Sequence, residues 1–152
     1  MTEYTNGQLC LESHIGSVFE NEQELLKSVI RLHCPNGIEL DPMYFKGNFY
    51  KDISRPKLVY DIEPKFPFVE KVDAQELPIS DNIVETMVLD PPFLFGIHGK
   101  TESYYSSSTH GIFKNFTSLY KLYHNILSEA FRVLKNKGIL IFKTLNASCF
   151  GS

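Results

Sequence analysis

An α/β domain, built on a mostly parallel sheet with flanking helices, is the fold this sequence predicts. Three observations lead there. Short apolar runs, each of strand length, recur along the chain and are followed at once by an acid. Helical patterns or long connections separate them, which is how parallel strands must be joined. The last run, "ILIFKT", is continuously apolar, as a strand covered on both faces is.

A helix is expected to open at Asn21. Asn caps well, and Glu24 stands three residues on, in a capping-box arrangement. Leu25, Leu26, Val29 and Ile30 repeat at helical spacing, and Cys34-Pro35-Asn36-Gly37 ends the pattern. Residues 1–20 form an N-terminal extension, with a short strand expected near Leu9 to Glu12. A strand over Gly37 to Leu40 then runs into Asp41-Pro42. "KLVYDIEP" supplies a second strand, Lys57 to Tyr60, ending in Asp61 and Glu63. "FVEKVDAQELP" supplies a third, Val69 to Val72, ending in Asp73. "IVETMVLDPPF" supplies a fourth, ending in Asp90.

Residues 94–116 have too little apolar content to pack and are expected as a flexible loop on the substrate side. Thr117 to Lys135 predicts the longest helix, with Leu119, Leu122, Ile126, Leu127, Ala130, Phe131 and Leu134 in one apolar stripe. Lys135 and Lys137 suit a helix C-terminus, and Gly138 supplies the stop. "ILIFKT" is the fifth strand. The whole of 1–152 reads as a single domain, with no internal repeat or linker.

Composition narrows the class. The 152 residues suffice for one core, and 43% hydrophobic with 22% charged residues is ordinary for a globular chain. The formal net charge of -3 carries no general basic excess of the kind strong phosphate binders show, though a local basic patch stays open. Cys10, Cys34 and Cys149 are widely spaced and form no CxxC pair, so reduced thiols are expected. The opening "MTEYTNGQLC" holds no apolar signal core, and no apolar run approaches the ~20 residues that span a bilayer. The expectation is a cytoplasmic chain with no membrane partner. His14, His33, His98, His110 and His124 show no metal-ligand spacing, so no metal is expected. Neither a GxSxG elbow nor a P-loop occurs.

In parallel sheets of this kind ligands bind beyond the carboxyl ends of the strands, near the point where strand order reverses. Asp41, Asp61, Asp73 and Asp90 would all lie on that edge. Taken singly, each acid is more often a turn residue than a ligand; four at four strand ends shift the balance. "DPPF" at 90–93 is also a far rarer string than Asp-Pro.

At this point the sequence resembles a known family, the class I S-adenosylmethionine-dependent methyltransferases that act on nucleobase amino groups. Asp90-Pro91-Pro92-Phe93 fits their fourth-strand signature at every position. Asp41-Pro42-Met43-Tyr44-Phe45-Lys46-Gly47-Asn48-Phe49 resembles their first motif in part, retaining Asp-Pro and one glycine but not the Gly-x-Gly. The similarity runs from about Asn21 to Thr144, and the motif order matches one circularly permuted subgroup. It implies a Rossmann-like methyltransferase fold and S-adenosyl-L-methionine as cofactor. Asp41 would then accept from the cofactor ammonium, and Asp61, with Glu63 second, from the ribose hydroxyls. Asp73 would accept from the adenine amino group, helped by the Ala74 backbone. Tyr44, Phe45 and Phe49 would pack on the cofactor, although each aromatic taken alone is more often core.

The same resemblance gives the fourth-strand motif a catalytic role. A nucleobase amine is a poor nucleophile, because its lone pair is delocalised into the ring. Asp90 and the Pro91 carbonyl would accept from its N–H groups and favour the pyramidal nitrogen. Pro91 and Pro92 fix the backbone, and Phe93 would stack on the base. A base in a duplex must be flipped out to arrive there. Asp at position 90 favours adenine in DNA, with RNA bases next and a protein glutamine third. A non-catalytic Rossmann-like scaffold is the reading from another class. The family sheet usually has seven strands and five are expected here, without the C-terminal antiparallel pair. The chain is then a fragment, a minimal version, or one whose last strand is covered by a partner chain or a second copy.

Overall fold

The computed structural model describes residues 19–91 and 116–144. Within them the chain runs α1 (Glu22–His33), β1 (Leu40–Asp41), a 3-10 turn (Asn48–Tyr50), β2 (Leu58–Asp61), β3 (Glu70–Lys71), β4 (Val84–Leu89), α2 (Phe116–Val133) and β5 (Leu134–Phe142). All strand pairs are parallel, in the order β3-β2-β1-β4-β5, a Rossmann-like layout with helices flanking the sheet. Strand order reverses between β1 and β4, so the switch point lies there. The expected strand near Leu9 to Glu12, the 94–116 loop except for its last residue, Pro92, Phe93 and the residues after Thr144 lie outside the described residues.

Side-chain alternation on the strands explains the layers. Leu40, Met87 and Leu89 point to one face and pack with Ile126, Ala130 and Val133 of α2. Val88 points to the other and packs with Leu26 of α1, Ile38 and Phe49, with Ile139 and Ile141 of β5 alongside. One helix therefore covers each face. The Asn21 cap forms as expected: its side chain accepts the Glu24 N–H at 3.0 Å and donates back to the Glu24 carboxylate at 3.0 Å. No helix among the described residues is long and apolar enough to cross a membrane.

Several expectations are corrected. The second helix ends at Val133, before Lys135 and Gly138, where its last carbonyls are taken by the two residues just before β4. The Asn82 and Ile83 N–H groups donate to the Arg132 and Val133 carbonyls. Leu134 then pairs with Val84, and the register jumps so that Thr86 meets Ile139. The segment between them bulges, with Lys137 in the left-handed region at φ 65° and Lys135 turned onto Glu85 at 2.8 Å. Gly138 is needed there for close approach, since a Cβ would sit 2.9 Å from the Lys135 carbonyl oxygen. β5 is half-buried rather than buried, because it is the edge strand of the described sheet.

Phe131 leaves the expected stripe and is 86% exposed, and Leu25 of α1 is also exposed. The buried face of α2 runs through Leu119, Ile126, Ala130 and Val133, which already covers the sheet. Arg132 ties α2 to the β3–β4 connection. Its guanidinium donates to the Leu77 and Ile79 carbonyls and to Glu129 and Asp81, at 2.7 to 3.0 Å.

Candidate functional site

The site is built from the carboxyl ends of β1, β2, β4 and β5. Leu40 pairs with Met87, so by the same register Asp41 lies level with Val88, and Asp90 follows one residue after β4 ends. Asp41 and Asp61 are the last residues of β1 and β2, while Asp73 falls two residues beyond β3. Pro42 and Pro91, which follow the two acids at the switch point, are fully buried.

Asp41 is nearly inaccessible. One oxygen accepts the Met43 N–H at 2.9 Å and the other the Tyr50 hydroxyl at 2.7 Å. Burial pushes its carboxyl up to about 7, against the lowering effect of those two bonds, and the Asp90 and Asp61 charges add to the rise. The Tyr50 hydroxyl is raised as well, first by burial and then by the Asp41 charge beside it.

Asp61 organises the loop after β1. Its Oδ2 accepts the Phe45 N–H at 2.7 Å and its Oδ1 the Glu63 N–H at 2.8 Å. The first bond holds Phe45 in the left-handed region, at φ 48°. Gly47 follows at φ 64°, and its hydrogen atoms face the Tyr44 ring at a distance no Cβ could occupy. Tyr44 in turn stacks on Tyr50, with centroids 5.5 Å apart and planes 7° from parallel. A Gly47→Ala change is expected to push Tyr44 off that stack and to cost about 1–3 kcal/mol, from the backbone conformation and the overpacking together. Urea unfolding of the variant checks this.

The remaining expected residues sort plainly. Asp73 is exposed and closes a local turn, accepting the Gln75 N–H at 2.9 Å, while Ala74 beside it is buried in the α2-side core. Phe49 belongs to the α1-side core rather than standing free at the edge. Tyr44 meets Phe68 edge-on at 5.9 Å and Phe66 at 6.5 Å. Asp41, Asp61 and Asp90 are brought together closely enough for their charges to act on Asp41, and Asp73 is not among them. Cys34 is buried and free, and among the described residues no cluster of His, Cys, Asp and Glu could hold a metal ion.

Sequence reasoning missed Lys143, Glu22, Gln23 and Tyr50. Lys143 directly follows β5, and its backbone N–H donates to the Leu89 carbonyl at 2.9 Å, beside Asp90. Its ammonium lies 2.6 Å from Glu22, 3.4 Å from Asp90 and 4.7 Å above the Phe49 ring. Burial alone would lower its proton affinity, but Glu22 and Asp90 outweigh that and hold it above the usual lysine range. Gln23 donates to the Asn48 carbonyl at 3.1 Å, and its own amide oxygen is buried without a hydrogen-bond partner among the described residues. The rule that singled out the acids, a polar residue directly after an apolar strand, would also have found Lys143.

Comparison with family models, with curated proteins and with solved structures returned no match.

Proposed function

We propose that this chain transfers a methyl group from S-adenosylmethionine to the exocyclic amino group of a nucleobase, adenine N6 in DNA first. The observation that carries this reading is the meeting of Asp41 and Asp90-Pro91 at the reversal point of a five-stranded parallel sheet. Parallel sheets of this layout bind ligands at that position, and the "DPPF" string begins there.

The residues present fit the cofactor's cationic end. A carboxylate raised by burial gains most from a nearby positive charge, so Asp41 favours a cation over a neutral ligand. Asp41, directly or through water, would hold the ammonium, and the cofactor would supply a methyl group on sulfonium sulfur. For the ribose diol, Asp61 is inaccessible and accepts two backbone N–H groups, while Glu63, two residues on and paired with Lys65 at 3.4 Å, is the more accessible carboxylate. Asp73, with the Ala74 backbone, remains the pair for an adenine amino group.

At the substrate side, Asp90 and the Pro91 carbonyl accept from the two N–H bonds of the target amine. Asp90's side chain is 27% exposed, whereas Asp41 is 3% exposed, so an incoming amine meets Asp90. The target amine must give up one N–H proton on methylation, and Asp90 would be the adjacent group to take it. Positioning and preorganised charge supply most of the rate gain.

A second reading, a binding subunit without catalysis, is favoured by the internally satisfied Asp61. Labelled-methyl transfer to DNA, RNA and protein pools separates them. Label in DNA supports the proposal, label in RNA or protein alone reassigns the substrate, and no label in any pool favours the binding subunit.

A further inference from the structure

Resting on that functional reading, the geometry points to Lys143 as a positioning residue that fixes the charge and orientation of Asp90. The two side chains leave adjacent parallel strands at the same level, because Phe142 pairs with Leu89 and the Lys143 N–H continues the ladder onto the Leu89 carbonyl. Sheet register therefore sets the two residues side by side, and the ammonium reaches the Asp90 carboxylate at 3.4 Å. Glu22, in the first turn of α1, anchors the ammonium from the opposite side at 2.6 Å, and the Phe49 ring lies under it at 4.7 Å. Three elements therefore converge on one lysine.

The chemistry gives this arrangement a purpose. Asp90 serves best ionised, since only the carboxylate offers both oxygens as acceptors and can take the released proton. Among the described residues the charged or titratable groups around Asp90 are Asp41 from β1, Tyr50 from the 3-10 turn, Glu22 from α1 and Lys143 from β5. Asp41 and Glu22 oppose ionisation of Asp90, Tyr50 adds no positive charge, and Lys143 is the cation in the group. An opposite charge at such range lowers a carboxyl's proton affinity by roughly 1–3 pH units. Lys143 also stays protonated through the working range, so it steers the released proton to Asp90 rather than taking it.

The test compares the wild-type chain with Lys143→Met and Lys143→Arg. Two readouts are taken: the Asp90 carboxyl titration by carbon NMR, and the acid limb against pH of kcat/KM for the oligonucleotide at saturating cofactor, where Asp41 is already ionised. Lys143→Met is expected to move both upward by about 1 unit or more, with activity largely recovered at high pH, and Lys143→Arg to restore both. A lysine that only supported the fold would lower activity at every pH without moving the limb, and that result overturns the inference. Should Lys143→Met not fold, Glu22→Gln serves instead. With Glu22 neutral the ammonium acts on Asp90 alone, so both readouts move down, and unmoved readouts overturn the inference. The titration needs no turnover: an Asp90 shift in a chain that transfers no methyl group sinks the functional reading while upholding the Lys143–Asp90 coupling. An unmoved limb in an active chain sinks the coupling alone.

Discussion

Asp90→Ala is expected to lower methyl transfer by about 10²–10³-fold, the usual effect of removing one preorganised hydrogen-bonding group from a reacting centre. Cofactor affinity should stay within a few-fold, because Asp41 and the β1 loop keep their own hydrogen bonds. Asp90→Asn should fall between wild type and Ala. Its amide oxygen still accepts one N–H of the amine, but it neither carries charge nor takes the released proton. The fold should survive both changes, since Asp90 lies past the end of β4 and is partly exposed. Single-turnover kinetics with an adenine-containing oligonucleotide, beside cofactor titration, measures the two effects separately. Full activity in Asp90→Ala would refute the mechanism.

Asp41→Asn is expected to stabilise the protein at neutral pH and to flatten its stability against pH. The sign follows from the folded carboxyl standing at about 7, against about 4 in the unfolded chain. Below the unfolded value the group is protonated in both states, and its contribution is fully present. As pH rises from about 4 towards 7, the unfolded chain releases the proton while the folded chain keeps it, so stability falls; above the folded value the loss is complete. With ~1.4 kcal/mol per unit, the loss is at most roughly 4 kcal/mol. Asparagine preserves the local bonding, with its oxygen accepting from Met43 and its nitrogen donating to Tyr50. Urea midpoints for wild type and variant should agree near pH 4 and diverge in favour of the variant by pH 8. A difference that does not change with pH would contradict the burial account of Asp41. The same substitution should weaken binding of a cationic cofactor, so stability and binding move in opposite directions.

Much of the fold was legible because strand polarity and helical period are local properties. The apolar runs before Asp41, Asp61, Asp73 and Asp90 fixed the direction of four strands, and with it the edge on which the acids fall. The Asn21 cap was legible for the same reason, since it needs only residues three apart. Other features depend on contacts between segments distant in the chain. Lys143 faces Asp90 because of the β4–β5 register, which a bulge at 135–138 sets and no local pattern announces. Asp61 turned inward because the Phe45 N–H, in a left-handed conformation, points at it. Phe131 fits the apolar period yet is exposed, because α2 covers the sheet with a narrower face than the sequence offers. The helix, expected to reach Lys135 with Gly138 as its stop, ends at Val133, because Lys135 and Lys137 suit a helix C-terminus and a β-bulge equally well.

The central claim is that the β1–β4 edge binds S-adenosylmethionine through a buried carboxylate. Calorimetric titration of the wild-type protein with S-adenosylmethionine, at pH 7 in buffers of differing ionisation heat, tests it most directly. The account predicts saturable binding with proton release, as the cation draws the Asp41 carboxyl back to its ionised form, and both the binding and the release should fall in Asp41→Ala. No binding at millimolar cofactor, or binding that Asp41→Ala leaves unchanged, would contradict it.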